Sequence, residues 1–317
     1  MTMPRRVFIR NSALAAAGLA APGAISALAA QASEPRAPSP DSGAPGVIDT
    51  NIHLFQWPFR HLKYGKTAAL AAKLRRHRVV QAWAGSYESL LFKDIAGVNE
   101  RLADECARVG GGLFMPVGGI NPLMPDWREH LRRCQEVHGM KAIRLHPSYQ
   151  GYALTDPLFA ELLTAAADRR LLVQIALLME DERVQHPLLS APLVNPAPLG
   201  ALLTALPHAK VQLLHGFGAM RLPRSRPLFD LPNLTVDISG MEGTGALGSL
   251  IDGTLPADWF GGFVHGSPKL PVERMLFGSL APYFPLENAL LKCFESMLSR
   301  DQMTAIMAGN AQRLIAA

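Results

Sequence analysis

Eight short runs rich in Val, Ile, Leu and Met punctuate the chain from residue 47 onward, and amphipathic helical patterns fill the intervals between them. The runs fall at 47–49, 79–84, 113–117, 140–145, 171–175, 210–214, 234–238 and 275–278. Helices are expected at 67–77, 94–109, 127–137, 157–168, 198–206 and 286–298, with a last one from 301 to the end. Strand, helix and strand in alternation call for a parallel sheet, because each crossover returns the chain to the same edge. Eight such units in roughly 270 residues fit a (β/α)8 TIM barrel, an α/β fold built here as one domain over residues 47–317. A doubly wound open sheet is the competing architecture, but no Gly-rich phosphate fingerprint follows any run. A composition of 49% hydrophobic and 18% charged residues supplies the core that a barrel needs.

A barrel delivers the C-terminal ends of all its strands to one face, where the catalytic groups of barrel enzymes collect. The first run continues as Val47-Ile48-Asp49-Thr50-Asn51-Ile52-His53, and side-chain alternation would set Asp49, Asn51 and His53 on one face. The loop behind it carries Gln56-Trp57-Pro58-Phe59-Arg60. Trp57 and Arg60 are expected to form a pocket wall and an anion contact, or else a loop folded over the barrel. The fourth strand ends in Arg144 and His146, the sixth in His215-Gly216, and the seventh in Asp237. Arg144 shares its inward phase with His146. It is placed either to clamp a substrate carboxylate through its planar fork or to pair with Asp49 or Asp237 inside the barrel. His53, His146 and His215 are the candidate catalytic groups, with hydrogen-bonded packing of strand ends as their alternative use. Asp237 reads as a structural acceptor, and Met179-Glu180-Asp181-Glu182-Arg183 as the start of a solvated helical turn.

Four segments together carry a family resemblance. Asp49-Thr50-Asn51-Ile52-His53 is similar to the Asp-x-His-x-His opening of the type 2, amidohydrolase-related branch of the amidohydrolase superfamily. Leu214-His215-Gly216 resembles that branch's sixth-strand histidine motif, and Leu276-Phe277-Gly278-Ser279-Leu280-Ala281-Pro282 its Leu-Phe-Gly-Ser-Asp-x-Pro segment. Gly309-Asn310-Ala311-Gln312-Arg313-Leu314 resembles its closing Gly-Asn-Ala-x-Arg-Leu helix. The resemblance implies the barrel. Members that hold a divalent metal use two first-strand histidines, a fifth-strand histidine, the sixth-strand histidine and an eighth-strand aspartate. The matching positions here are Asn51, His53, Ala176, His215 and Leu280. Zinc asks for at least three good protein donors, and the lost aspartate would also have handled the attacking water's proton. The expectation is therefore no metal and no other cofactor, unless Glu180, Asp181, Glu242 or His265 rebuild the site from loops.

Lactonases of the superfamily that need no divalent ion imply an activity: metal-independent hydrolysis of a lactone or ester of a small carboxylated compound. By that resemblance His53 and His215 would polarise the carbonyl, and His146 or a carboxylate would deprotonate water. Asn51, Trp57, Arg60 and Arg144 would hold the substrate. The aspartate that those lactonases use as base matches Leu280, so the base is left open. The alternatives are a catalytically silent paralogue that binds a small organic acid or sugar derivative, and a metal-dependent amidohydrolase or decarboxylase with a rebuilt site.

The chain opens differently from the rest. Pro4-Arg5-Arg6-Val7-Phe8-Ile9-Arg10 precedes an uncharged Ala-, Gly- and Leu-rich stretch to Ala30, and small-x-small sites follow near residue 32. Residues 1–32 resemble a twin-arginine signal peptide, with an ordinary secretory leader as the alternative. Residues 33–46, rich in Pro, Ser, Gly and Ala, read as a flexible linker. Periplasmic or extracellular localisation follows as an expectation. The formal charge of +5 includes Arg5, Arg6 and Arg10, so the remainder is near neutral and argues for a small-molecule substrate, not nucleic acid or a membrane surface. Cys106, Cys134 and Cys293 are widely spaced and carry no CxxC pattern.

Overall fold

The computed structural model describes residues 46–219, 226–254 and 269–316. The expected leader, the linker up to residue 45 and the candidate ligand His265 lie outside the described residues.

The strands are β1 (Val47–Leu54), β2 (Val79–Ser86), β3 (Phe114–Pro116), β4 (Gly118–Gly119), β5 (Ala142–Leu145), β6 (Leu172–Ala176), β7 (Lys210–Leu214), β8 (Leu234–Asp237) and β9 (Met275–Leu276). They pair in parallel in the orders β1-β2-β3 and β4-β5-β6-β7-β8-β9. Segments β3 and β4 are two pieces of one barrel strand, broken at Val117, whose N–H donates to Ala84 O on β2 at 2.8 Å. Pro116 brings no N–H to the ladder. Asn99, on the neighbouring helix, holds the loose end: its Nδ2 donates to Gly119 O at 2.9 Å and its Oδ1 accepts from Gly119 N at 2.7 Å. The ring closes between the last strand and the first, where Thr50 N donates to Phe277 O at 2.9 Å. Leu280 N donates to Asn51 O at 2.8 Å and His53 N to Ala281 O at 2.9 Å. The (β/α)8 architecture expected from the alternating pattern is the one present.

Helices Thr67–Arg76, Ile95–Arg108, Trp127–Glu136, Pro157–Asp168, Leu199–Ala205 and Leu286–Phe294 occupy the expected intervals. Ile95–Arg108 illustrates why. Asp94 accepts from Gly97 N at 2.9 Å, a cap worth about 1 kcal/mol, and Ile95, Val98, Leu102 and Cys106 line the buried face. The expected C-terminal helix is instead Arg300–Thr304, a π turn Ala305–Gly309, and Asn310–Ala316. Helix Ala246–Asp252, in the Gly-rich seventh connection, gave no periodic signal beforehand. It is bounded by Gly245 and Gly253, both left-handed, at φ 74° and 73°.

The barrel interior is layered. Ile48, Trp83, Val117, Ala142, Leu172 and Leu276 pack together as one apolar layer. Beside it lies a polar layer of Thr50, Arg144, Gln174 and Gln212, all fully buried. Gln174 Nε2 donates to Gln212 Oε1 at 2.8 Å, Gln212 Nε2 to Thr50 Oγ1 at 2.7 Å, and Thr50 Oγ1 to Phe277 O at 2.9 Å. Such a network is tolerable in a core only because its members satisfy one another.

This layer corrects the simple alternation expected for the first strand. The β1–β2 register slips between Asp49 and Ile52, since Asp49 pairs Ala82 while Ile52 pairs Ala84. One extra residue in β1 makes a bulge that re-aims the side chains after it. Thr50, not Asp49, joins the polar layer, and Asp49 turns to the last strand, accepting from Ser279 N at 3.0 Å and Ser279 Oγ at 2.5 Å.

Candidate active site

The mouth of the barrel holds two groups of polar side chains. The first is centred on His53, which is fully buried, stacks on Tyr87 at 4.6 Å between ring centroids, and lies 5.8 Å from the His146 ring. Arg144 reaches His53 Nε2 at 3.1 Å. Its other donors go to Gln174 Oε1 at 2.8 Å, Ile52 O at 2.8 Å, Trp83 O at 3.2 Å and Thr50 O at 3.5 Å. All five N–H groups of the guanidinium are thus directed at protein acceptors. The carboxylate clamp expected of Arg144 has no donor left to act with, and no direct ion pair to Asp49 or Asp237 replaces it. Burial pulls the His53 and His146 imidazoles well below their usual range, His146 to about 3, and the Arg144 charge adds to both shifts. Both rings are neutral at physiological pH.

The second group is centred on Asp237. Its Oδ1 accepts from His215 N at 2.9 Å, Ser239 N at 3.2 Å and Ser239 Oγ at 2.8 Å. Its Oδ2 accepts from Asn51 Nδ2 at 2.6 Å. Ser239 Oγ lies 3.4 Å from His215 Nδ1. Because the serine hydroxyl donates to Asp237, that nitrogen must be the protonated one, which leaves Nε2 carrying the lone pair. His215 has φ +55° at the end of its strand, a left-handed conformation of the kind that recurs at functional sites. Its ring stacks on Phe284 at 5.7 Å and lines an open cleft of about 350 Å³. Ser239, Glu242, Thr244, Asn288 and Lys292 share that cleft. Lys292 Nζ donates to Ser239 O at 2.8 Å and Ile238 O at 3.2 Å, which leaves one N–H for a ligand. Burial, with Lys292 second, pushes His215 down to about 4.

Ser239, Asn288 and Lys292 were not singled out from the sequence. Helix Leu286–Phe294 and the residue after it carry Asn288, Leu291, Lys292 and Glu295 at helical spacing. That mixed stripe was the available signal, but only the fold turns it toward His215.

A dication does not fit the five positions at which the resemblance would place its ligands. Ala176 and Leu280 lie in an apolar cluster with Trp57, Leu62, Tyr87, Leu90, Met179 and Tyr283, so two of those positions are packed with hydrocarbon and rings and offer no donor. Asn51 donates its Nδ2 to Asp237 and offers only a neutral, unpartnered Oδ1, and His53 faces the Arg144 cation at 3.1 Å. Leu280 keeps φ +58°, a strained setting for an aliphatic residue, at the place where a ligand would project. Among the described residues no group of three His, Cys, Asp or Glu side chains converges on one point.

Trp57 is buried in the same cluster and packs edge-on against Tyr87 and Tyr283 at 5.2 and 5.1 Å. Arg60 is half-exposed, 4.4 Å over the Tyr283 ring and 3.7 Å from Glu180 Oε1. Glu180 departs from the solvated turn expected of its segment. It is 3% exposed, whereas Asp181, Glu182 and Arg183 are at the surface and only Glu182–Val184 forms a single 3-10 turn. The three cysteines are buried and free, with thiols pushed up to about 12 by burial.

A closed ring of parallel strands with helices in the intervals and polar side chains gathered at the strand ends defines the class of (β/α)8 barrels. More particularly, residues 48–316 match the family described as Amidohydrolase, and the chain belongs to it. Its fold is similar to 2,6-dihydroxybenzoate decarboxylase from Rhizobium (TM-score 0.64, 16% identity, covering 86% of this chain and 98% of that one). It is similar to 5-carboxyvanillate decarboxylase from Sphingomonas paucimobilis (TM-score 0.64, 14% identity, 86% and 99% covered). A third likeness is to dihydroxybenzoic acid decarboxylase from Polaromonas sp. JS666, whose structure holds manganese and the inhibitor 2-nitroresorcinol (TM-score 0.63, 15% identity, 86% and 97% covered). At these identities the likeness concerns the fold. No curated protein matches the chain.

Proposed function

We propose that this protein hydrolyses a small lactone or ester without a divalent metal, using the cleft beside His215. The observation that carries the reading is the hydrogen-bond chain from His215 Nδ1 through Ser239 Oγ to Asp237, at 3.4 and 2.8 Å, on the wall of an open cavity. A carboxylate that orients a neutral imidazole through one nitrogen frees the other to take a proton, the logic of catalytic dyads and triads. His215 Nε2 accepts a proton from water as the water oxygen attacks the carbonyl carbon. Negative charge grows on the carbonyl oxygen, and the remaining N–H of Lys292 answers it. The C–O bond of the lactone or ester then breaks, and the leaving oxygen takes the proton back from His215.

The substrate differs in one respect from that expected of the sequence. Glu242 and Glu295 line the cleft and Arg144 is engaged elsewhere, so a neutral lactone or ester suits it better than a carboxylated one. His53 and His146 act in this scheme by holding the mouth together, beneath an apolar cluster. The export expected from the leader would place the reaction outside the cytoplasm, which fractionation of the native host tests. A second reading, a silent binding paralogue, is favoured by the same cluster, because packing at former ligand positions is what lost chemistry leaves behind. Initial rates on a panel of lactones and aryl esters decide between them. Turnover by the wild-type chain that falls about 10²-fold or more in His215→Asn supports hydrolysis. Saturable binding with no product, or a His215→Asn variant as fast as wild type, would refute it.

A further inference from the structure

Beyond Phe284, which stacks on His215 and packs edge-on against Tyr283 at 5.0 Å, a set of buried polar atoms has no partner in the protein: Glu180 Oε2, Trp57 Nε1, Tyr149 Oη and His146 Nε2. They are joined through one aromatic assembly. Trp57 lies 5.1 Å from Tyr283, 5.2 Å from Tyr87 and 6.3 Å from Tyr149, each edge-on. Glu180 accepts from Tyr283 Oη at 2.8 Å through Oε1 alone, and its charge reaches Tyr149, whose phenol it helps to push up. A carboxylate removed from water with one oxygen unmatched costs several kcal/mol unless something cationic or hydrogen-bonding meets it.

The group nearest to that task is Arg60. Its guanidinium sits over the Tyr283 ring at 4.4 Å and approaches Glu180 Oε1 only to 3.7 Å, while its side chain is 47% exposed. This is a loose ion pair made by a long surface side chain. It brings a cation to an aromatic face beside a buried carboxylate and leaves Oε2 untouched. Aromatic walls and a buried carboxylate are what recognise an organic cation.

From this geometry we infer that the mouth holds a second binding site, for a small primary ammonium ion on an apolar stem, and that Arg60 is its intramolecular stand-in. The ammonium donates to Glu180 Oε2 and to Tyr149 Oη, and its stem lies against Trp57 and Tyr283. Arg60 swings outward to solvent as the ligand enters. One cation replaces another, so the charge around Glu180 is conserved, even though Lys63 and Lys73 line the outer cleft next to Arg60. Lys73 is already paired with Glu287 at 2.6 Å. A carboxylate ligand at this position would instead have to face Glu180. The inference stands apart from hydrolysis at His215, because it concerns binding and uses different residues.

The test is calorimetric titration of the full chain with benzylammonium, benzyl alcohol and benzoate, three probes alike in ring and stem. Benzylammonium is expected to bind saturably in the millimolar range or below. Glu180→Gln should weaken it at least tenfold, and Arg60→Ala should tighten it severalfold by removing the competitor. The Arg60 variant changes an exposed side chain, so it remains informative if the Glu180 variant folds poorly. Equal binding of benzyl alcohol or benzoate, no saturable binding of benzylammonium, or weaker benzylammonium binding by Arg60→Ala would each overturn the site. Selective loss of benzoate binding in Arg60→Ala would identify Arg60 as an anion clamp instead.

Discussion

Replacing Arg144 by methionine separates a structural arginine from a substrate clamp. The side chain is fully buried, and its N–H groups go to Gln174, Ile52, Trp83, Thr50 and His53. Thr50 O keeps another donor, Gln174 Nε2 at 2.9 Å, after the substitution. Gln174 Oε1, Ile52 O, Trp83 O and His53 Nε2 lose the donors just named. A buried acceptor left unmatched costs about 1–3 kcal/mol, so four set a floor of about 4 kcal/mol. Methionine returns part of this, because a cation no longer has to be desolvated; that burden already pulls Arg144 down to about 9. The net expectation is a loss of about 2–5 kcal/mol, against a total stability of about 5–15 kcal/mol for a typical domain. Urea unfolding followed by tryptophan fluorescence reads the loss as a lower midpoint, since Trp83 sits against the guanidinium through its own carbonyl. Turnover per folded molecule should change far less than stability. An unchanged midpoint together with abolished turnover or ligand binding would refute the reasoning and return Arg144 to the role of clamp.

Three further outcomes follow from the same geometry. Ser239→Ala breaks the link between Asp237 and His215 Nδ1 and should lower kcat about tenfold or more with little change in KM, measured on whichever ester the wild type turns over. Gly278→Ala places a Cβ 2.7 Å from Asp237 Oδ2, so it should cost about 1–3 kcal/mol in thermal unfolding and also disturb turnover through Asp237; a neutral result would mean that Asp237 is not held where described. The pH dependence of stability has a definite sign. His53, His146 and His215 have folded values depressed below the usual imidazole value, so their contribution is present above about pH 6.5 and lost as pH falls towards 4. Asp49, raised to about 7 chiefly by burial, and Asp237, also raised, work the other way, losing stability as pH climbs through their folded values. Both sets act below about pH 7, so the imidazole contribution is read as a difference: the unfolding midpoint of His146→Asn should rise less, or fall more, from about pH 4 to 6.5 than that of the wild type, and an identical pH dependence would contradict the burial of that imidazole.

Much of the fold was legible because a buried parallel strand is a short apolar run and an outer helix keeps its period. The strand ends carrying His53, His146, His215 and Asp237 were legible for the same reason. What the sequence did not disclose depends on contacts between distant segments. Arg144 read as a free fork because its acceptors are backbone carbonyls of two other strands, which carry no residue signature. The bulge between Asp49 and Ile52 depends on how β1 registers with β2, about thirty residues away, and Thr50 takes the inward phase that Ile48 sets before it. Glu180 looked solvated because its neighbours Asp181, Glu182 and Arg183 are; only the packing of Met179 into the mouth draws it inward. Lys292 comes from the helix after the last strand, and its closeness to His215 rests on barrel closure. Ala176 and Leu280 were legible as residues without a donor, but their packing against Trp57 and Tyr283 was not.

The central claim is that proton transfer at this barrel mouth runs through His215, Ser239 and Asp237 without a divalent ion. The most direct measurement is the initial rate on one hydrolysed lactone or ester after exhaustive chelation, repeated after adding back manganese or zinc, with the bound metal counted by elemental analysis. The account predicts less than one ion in ten chains and the same rate in all conditions. A stoichiometric tightly held ion, or a rate that vanishes with chelation and returns with manganese, would contradict it.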